Sequence, residues 1–330
     1  MGGRDTDWDG VRLHIVTGKG GTGKTTVAAA LALALAAGGR TTLLVETEGR
    51  QGIAQLFDVP PLPYEERRVA VAPDGGEVYA LAIDAEAAMI EYLELFYKLG
   101  RAGGALRKLG AVEFATTIAP GLRDVLLTGK TYEAARRRTK DGSPVYDAVV
   151  MDAPPTGRIA RFLNVNTEVA GLARVGPVRN QADSIMKLLQ SPQTAVHIVT
   201  LLEEMPVQET LDGVAELRRT ELPVGAIIVN LVREPYLSAA DLTAARKGRL
   251  DDEAVRTDLK AAGIDPAPEV VDGLLTEAAE HAERVALEQR ERRMLSKLKR
   301  PTYELPVLAE GVDLGGLYSL AEVLRSQGAA

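Results

Sequence analysis

Residues Gly18 to Thr26 read GKGGTGKTT, and this stretch restricts the fold of the chain more than any other. Four glycines fall in the six positions from Gly18 to Gly23. With no Cβ in the way, the backbone N–H groups of such a loop can converge on an anion. The spacing is that of the phosphate-binding pattern G-x-x-x-x-G-K-[ST]. Gly18 and Gly23 are its fixed glycines, Lys24 its phosphate lysine, and Thr25 the hydroxyl for a magnesium ion. The pattern has physical meaning only between a strand and a helix. Here apolar, β-branched VRLHIV precedes it. VAAALALALAA follows, a strong helix former whose positive dipole end adds to the anion site. A glycine-rich loop that matched by accident would not carry both flanks.

The rest of the chain alternates strand and helix signals. The first helix runs to about Ala37 and stops at Gly38-Gly39. Thr42 to Thr47 reads as a buried strand, followed by a polar, glycine-punctuated loop, Glu48 to Gly52. In a parallel doubly wound sheet, a loop at a strand's C-terminal end faces the ligand crevice. Residues 60 to 77, proline-rich and then Asp-Gly-Gly, read as surface connection, and Val78 to Ile83 as a strand. Asp84 begins a helical region, broken by glycines, that extends to about Arg138. Its first helix is apolar on more than one stripe (Met89, Ile90, Tyr92, Leu93, Leu95, Phe96, Tyr97, Leu99), as in deep core or one wall of a hydrophobic groove.

Tyr146 to Asp152, YDAVVMD, is a buried strand that ends on a carboxylate and runs into the loop Ala153 to Gly157. That is the form of a Walker-B aspartate, which lands near the magnesium and its waters. Residues 158 to 190 read as helical, and Val196 to Leu201 and Val224 to Val229 as strands with the helix Val207 to Arg219 between them. Three charged amphipathic helices are expected from Ser238 to about Lys299, then a short strand from Tyr303 to Leu308 and a closing helix from Leu314 to Ser326. The expected fold is α/β: a doubly wound, mostly parallel sheet of the P-loop NTPase type. It forms one domain over 1–330 with a helical insertion at approximately 84–140 and 165–192.

Composition removes several chemistries. A net charge of −7 argues against a nucleic-acid partner. The basic clusters Arg136 to Arg138 and Arg292 to Arg300 sit among acids, as on solvated helix faces. The chain has no cysteine, which excludes disulfides, thiolate zinc sites, iron–sulfur ligation and cysteine nucleophiles. His14, His197 and His281 are isolated and show no metal-ligand spacing, and His197 lies inside a strand as a packed core histidine would. The N-terminus has no apolar signal region, and the longest apolar run, Val27 to Ala37, is too short to cross a bilayer, so a cytoplasmic protein is expected.

With these elements in order, the sequence resembles the arsenite-pump and guided-entry (tail-anchored-protein targeting) ATPase family over nearly its whole length, and more narrowly its stand-alone actinobacterial members. GKGGTGKTT matches that family's KGGxGKTT, with its deviant lysine at Lys19. Asp152 to Gly157 followed by Arg161-Phe162-Leu163 matches its switch II, and Pro120-Gly121 stands at its PG turn beside the nucleotide. Pro206 to Thr210, PVQET, resembles its helix opening before Ile227 to Asn230. The resemblance implies ATP/ADP and Mg2+ as ligands, cradled by Gly18, Lys19, Gly20, Gly21, Thr22, Gly23, Lys24, Thr25 and Thr26, with Pro154 beside them. Asn230 would read the adenine, and a late loop from Leu305-Pro306 through Glu310-Gly311 would pack on the base. Thr25, Glu48 and Asp152 would serve the metal and its waters, and Lys19, Lys24, Glu48 and Asp152 the chemistry. Lys19 would act across a two-fold axis on the nucleotide of a second subunit, itself or a paralogue; the bland alternative is a solvated lysine.

The departures carry equal weight. Where the family's switch I reads TDPAH, this chain has Thr47-Glu48-Gly49-Arg50-Gln51. Glu48 keeps the carboxylate with one more methylene, and displacing a water by about an ångström can cost roughly a hundredfold in rate. Slow or regulated hydrolysis is therefore expected. The family's zinc-binding CxxC and metalloid-binding cysteines are missing, so neither zinc nor arsenite is expected, and a single phosphate loop requires a second chain. Six methionines do not make a methionine-rich client groove. The implied function is an ATP-hydrolysing dimeric switch serving a membrane-linked targeting or transport task, with a membrane-protein or hydrophobic client. Its alternative is a slow or non-hydrolysing regulatory subunit of a paired complex. A small-molecule kinase is disfavoured, because Lys19 and the late loop have no role in one.

Overall fold

The structure is a computed structural model and is described for residues 7–97, 120–165 and 177–330. The expected apolar runs form strands β1 (Leu13–Gly18), β2 (Thr41–Glu46), β4 (Glu77–Ala82), β5 (Ala148–Asp152), β6 (Thr194–Thr200), β7 (Val224–Val232) and β8 (Thr302–Pro306). With β3 (Arg67–Val71) they make one sheet in the order β3-β4-β2-β5-β1-β6-β7-β8. All neighbours are parallel except β3 and β4. Strands β1, β5 and β6 are buried at every position, because helices cover both faces and continuous apolar runs suit such strands.

On one face lie α1 (Lys24–Ala36), the short α2 (Gly52–Leu56) and α11 (Leu314–Ser326). On the other lie α3 (Ala85–Tyr97), α4 (Pro120–Arg136), α5 (Thr156–Leu163), α6 (Pro177–Leu189) and α7 (Glu204–Arg219). Strand alternation divides the core between the faces: Leu13 and Ile15 join the α3–α7 side, and Val16 the α1 side. Helix α3 packs on α4 and α4 on α6, which brings together the parts expected to form a helical insertion. The side chains of Tyr92, Leu93, Leu95, Phe96, Tyr97 and Leu99, on which the core-or-groove question rests, lie outside the described ones. Three helices follow β7 as expected: α8 (Ala239–Arg246), α9 (Asp252–Ala261) and α10 (Pro268–Ser296). The first is capped by Ser238, whose Oγ accepts the Asp241 N–H.

One stretch differs from its reading. The connection expected over 60–77 contains β3, an antiparallel edge strand. Its arginines broke the apolar pattern; Arg67 and Arg68 are exposed, and Arg68 pairs with Glu77 across the strands at 2.7 Å. Charged side chains on an edge strand discourage pairing with another chain.

Below the phosphate loop, β1 and β6 carry a histidine pair. His14 Nδ1 lies 3.0 Å from His197 Nε2, with the rings stacked at 5.3 Å between centroids. The Ala226 N–H donates to His197 Nδ1 at 3.0 Å, so the hydrogen of neutral His197 is on Nε2 and donates to His14. That leaves the hydrogen of His14 on Nε2, a buried atom with no partner. His197 is thus packed core. The Trp8 ring stands edge-on to it, and Trp8 Nε1 donates to the Tyr303 hydroxyl at 3.0 Å. Burial lowers the pKa of His14 to about 4 and that of His197 well below its ordinary value, with His14 adding to the shift. Once unfolded, both imidazoles titrate near 6.5. Stability is therefore complete above about pH 6.5 and declines as pH falls toward 4, by about 1.4 kcal/mol per pH unit for each imidazole that protonates only on unfolding. Urea unfolding followed across this range should show that decline. In a His14→Asn, His197→Asn double variant the slope should flatten.

Candidate nucleotide-binding site

The phosphate loop is pinned by two close approaches. A Cβ on Gly18 would stand 2.2 Å from the Val199 carbonyl oxygen of β6, and one on Gly23 would stand 2.4 Å from Asn230 Nδ2. Gly23 also has φ of +83° as the residue that opens α1. Within the loop, the Thr22 hydroxyl donates to the Lys19 carbonyl at 2.9 Å. From the end of β7, Asn230 Nδ2 donates to the Thr22 carbonyl at 2.9 Å, so this buried amide braces the loop from beneath.

Helix α1 presents Lys24 and Thr25 in its first turn, opposite the end of β5. The Thr25 hydroxyl donates to Asp152 Oδ2 at 2.7 Å. Two more threonines hold the exit of β5: Thr47 Oγ1 donates to the Asp152 carbonyl at 2.7 Å, and Thr17 Oγ1 to the Pro154 carbonyl at 2.6 Å. Burial raises the pKa of the Asp152 carboxyl to about 6; Glu46 and Glu48 push it the same way, while the Thr25 hydrogen bond and Lys24 oppose them. The cavity, about 300 Å³, has Gly21, Gly23, Lys24, Thr25 and Thr26 on one side and Glu46, Glu48, Arg50 and Asp152 on the other.

The donor set fits a magnesium ion. Thr25 and Asp152 offer hard oxygens in mutual contact, and the buried carboxylate lies among other acids with few cations to balance it. No cluster of three or more His, Cys, Asp or Glu side chains that could hold a metal ion occurs among the described residues. Magnesium needs no such cage, since one or two carboxylates and the phosphates of a substrate suffice.

The expected site residues divide into groups. Gly21, Gly23, Lys24, Thr25, Thr26, Glu48 and Asp152 surround one cavity, with Gly18 and Thr22 shaping its floor. Pro154 lines the neighbouring cavity of about 500 Å³, which shares Glu48 and Arg50 with the first. Lys19 forms an ion pair with Glu209 of α7 and is not on the cavity wall. Leu305 is fully buried in the α1-side core, so its side chain is spent on packing, whereas Pro306 and Glu310 are exposed. Sequence reasoning missed Glu46. It was read as the interior of an apolar strand, although it stands opposite Asp152 in the β2–β5 register. A carboxylate two positions before Glu48, so on the same side of an extended chain, was the available signal.

A profile of the anion-transporting ATPase family matches residues 11–192, from β1 through α6, and so includes the phosphate loop and Asp152. The chain is 58% identical to ATPase BagA of Mycobacterium tuberculosis over 331 residues, covering 99% of this chain and 97% of that protein. It is 24% identical to ATPase get3 of Schizosaccharomyces japonicus, over 70% of this chain and 78% of that protein. ATPase ARSA1 of Chlamydomonas reinhardtii is 25% identical over 72% of this chain and 37% of that protein.

Gly23→Ala would meet both a positive φ and the Asn230 amide. The variant should remain folded by circular dichroism yet lose binding of a fluorescent adenine nucleotide. Affinity close to wild type would show that the loop opens elsewhere.

Proposed function

The chain belongs to the anion-transporting ATPase family, and from that membership we propose that it binds ATP with magnesium and hydrolyses it as one half of a dimeric switch. The observation that carries the reading is the Thr25–Asp152 hydrogen bond at the mouth of the phosphate loop. It brings the two expected metal donors together beside Lys24. When bound, magnesium supplies charge neutralisation on the phosphate oxygens and a fixed template for them. Lys24 and the loop N–H groups would bind the phosphate chain, and Thr25 and Asp152 would hold the ion. Glu48 faces the same cavity and orients the attacking water, so that ATP and water yield ADP and phosphate. Its 3.8 Å approach to Arg50 and its extra methylene relative to aspartate favour slow hydrolysis.

Lys19 supports the dimer by where it is held. Glu209 keeps its ammonium away from its own phosphate cavity. In the dimer, Lys19 exchanges Glu209 for the phosphates of the partner subunit's nucleotide. In this reading the membrane-linked targeting or transport task runs through a partner or a hydrophobic client, and the second subunit is this chain or a paralogue. Among the described residues no helix is long and apolar enough to cross a membrane. The second reading, a non-hydrolysing regulatory subunit, rests on Glu48.

Single-turnover phosphate release separates the two. Wild type should release phosphate in magnesium and Glu48→Ala should not; no release from wild type would leave the regulatory reading. Lys19→Ala should lower turnover on the order of a thousandfold, as loss of a transition-state cation does, and leave nucleotide affinity within a few-fold. Equal loss of affinity would place this lysine in its own loop.

A further inference from the structure

Glu46 has no role in the reading above, although it is one of the most buried carboxylates among the described residues, at 2% exposure. It ends β2 beside Asp152 and opens onto the nucleotide cavity. Its two oxygens are committed to the backbone at the start of α2. Oε1 accepts the Gln51 N–H, and Oε2 accepts the Ile53 N–H at 3.2 Å. Gln51 itself has φ of +57°, and its side-chain amide makes a two-way bond with Leu62, donating to the carbonyl at 3.1 Å and accepting from the N–H at 2.7 Å. The loop between β2 and α2 is therefore fastened at both ends. At its start, the Thr47 hydroxyl is bonded to the Asp152 carbonyl. At its end, Glu46 draws Gln51 back onto the strand it came from. Only Glu48, Gly49 and Arg50 remain in the arc between these fastenings.

We propose that Glu46 is a positioning residue for hydrolysis: by closing the loop onto β2 it sets the place of Glu48 and hence of the water that Glu48 orients. A buried carboxylate is a costly helix cap where a serine or asparagine would serve. What the carboxylate adds is two acceptors on one rigid group, reaching two N–H groups two residues apart. The arc is consequently short, with three residues between its two fastenings.

This inference rests on the proposed hydrolysis, but its test has a readout that does not. Arg50 lies in the arc with 78% of its side chain exposed, so trypsin cleavage after Arg50 reports whether the arc is held. Expected for Glu46→Ala is faster cleavage at Arg50 and single-turnover phosphate release slowed on the order of a hundredfold. Affinity for a fluorescent ADP analogue should stay within a few-fold. Glu46→Gln keeps one acceptor and should fall between Ala and wild type in both readouts. It also serves if Glu46→Ala fails to fold. Wild-type cleavage and release rates in the variants would overturn the proposal, as would affinity lost in parallel with release. If wild type releases no phosphate, the hydrolysis reading fails, and unchanged Arg50 cleavage in the variants would still be needed to overturn the positioning of the arc.

Discussion

Helix α1 is buried on all sides from Val27 to Ala36, and that burial fixes where the phosphate loop points. It lies between the sheet and α11. Its alternating alanine and leucine residues allow close approach to both, and each buried leucine contributes about 2 kcal/mol. The loop at its N-terminus inherits this rigidity. Gly18 is closed in by the β6 backbone and Gly23 by Asn230, so strand, loop and helix form one closely packed corner. Anion binding by backbone N–H groups depends on such a corner, since the groups must already point inward when the phosphate arrives.

Against this fixed corner stands a group of acids whose charges are only partly balanced. Glu46, Glu48 and Asp152 line the same cavity as Lys24 and Arg50. The raised pKa of Asp152 follows first from burial, with Glu46 and Glu48 adding to it. In the proposed reading, a divalent cation with a nucleotide would change the balance twice: the ion would attract the carboxylates and the phosphates would satisfy the lysine. Such an imbalance of buried charge is what a bound cation with its anionic ligand would relieve.

What was legible in the sequence was what is local. The phosphate loop and the strand ending at Asp152 both follow from short patterns with clear flanks, and both lie where those patterns put them. What was not legible depends on distant partners. Strand β3 was hidden because an edge strand need not be apolar. The ion pair of Lys19 with Glu209 spans 190 positions and the Asn230 brace on the loop spans 208, which no window of sequence can join. Glu46 escaped because its meaning comes from α2, a five-residue helix with no periodicity to announce it. Leu305 was singled out by its neighbours in a motif, but alternation along β8 turns its side chain into the core.

The threonine clasps on β5 have a mechanical consequence. Thr47 holds the Asp152 carbonyl and Thr17 the Pro154 carbonyl, so the chain leaving the sheet is fastened at two of its first three peptides. Pro155 then opens α5 without a side-chain cap, and the Thr156 hydroxyl that follows is buried with no partner. Helix α5 packs against both α4 and α7, so the clasped exit of β5 is the shared mechanical support of two helices.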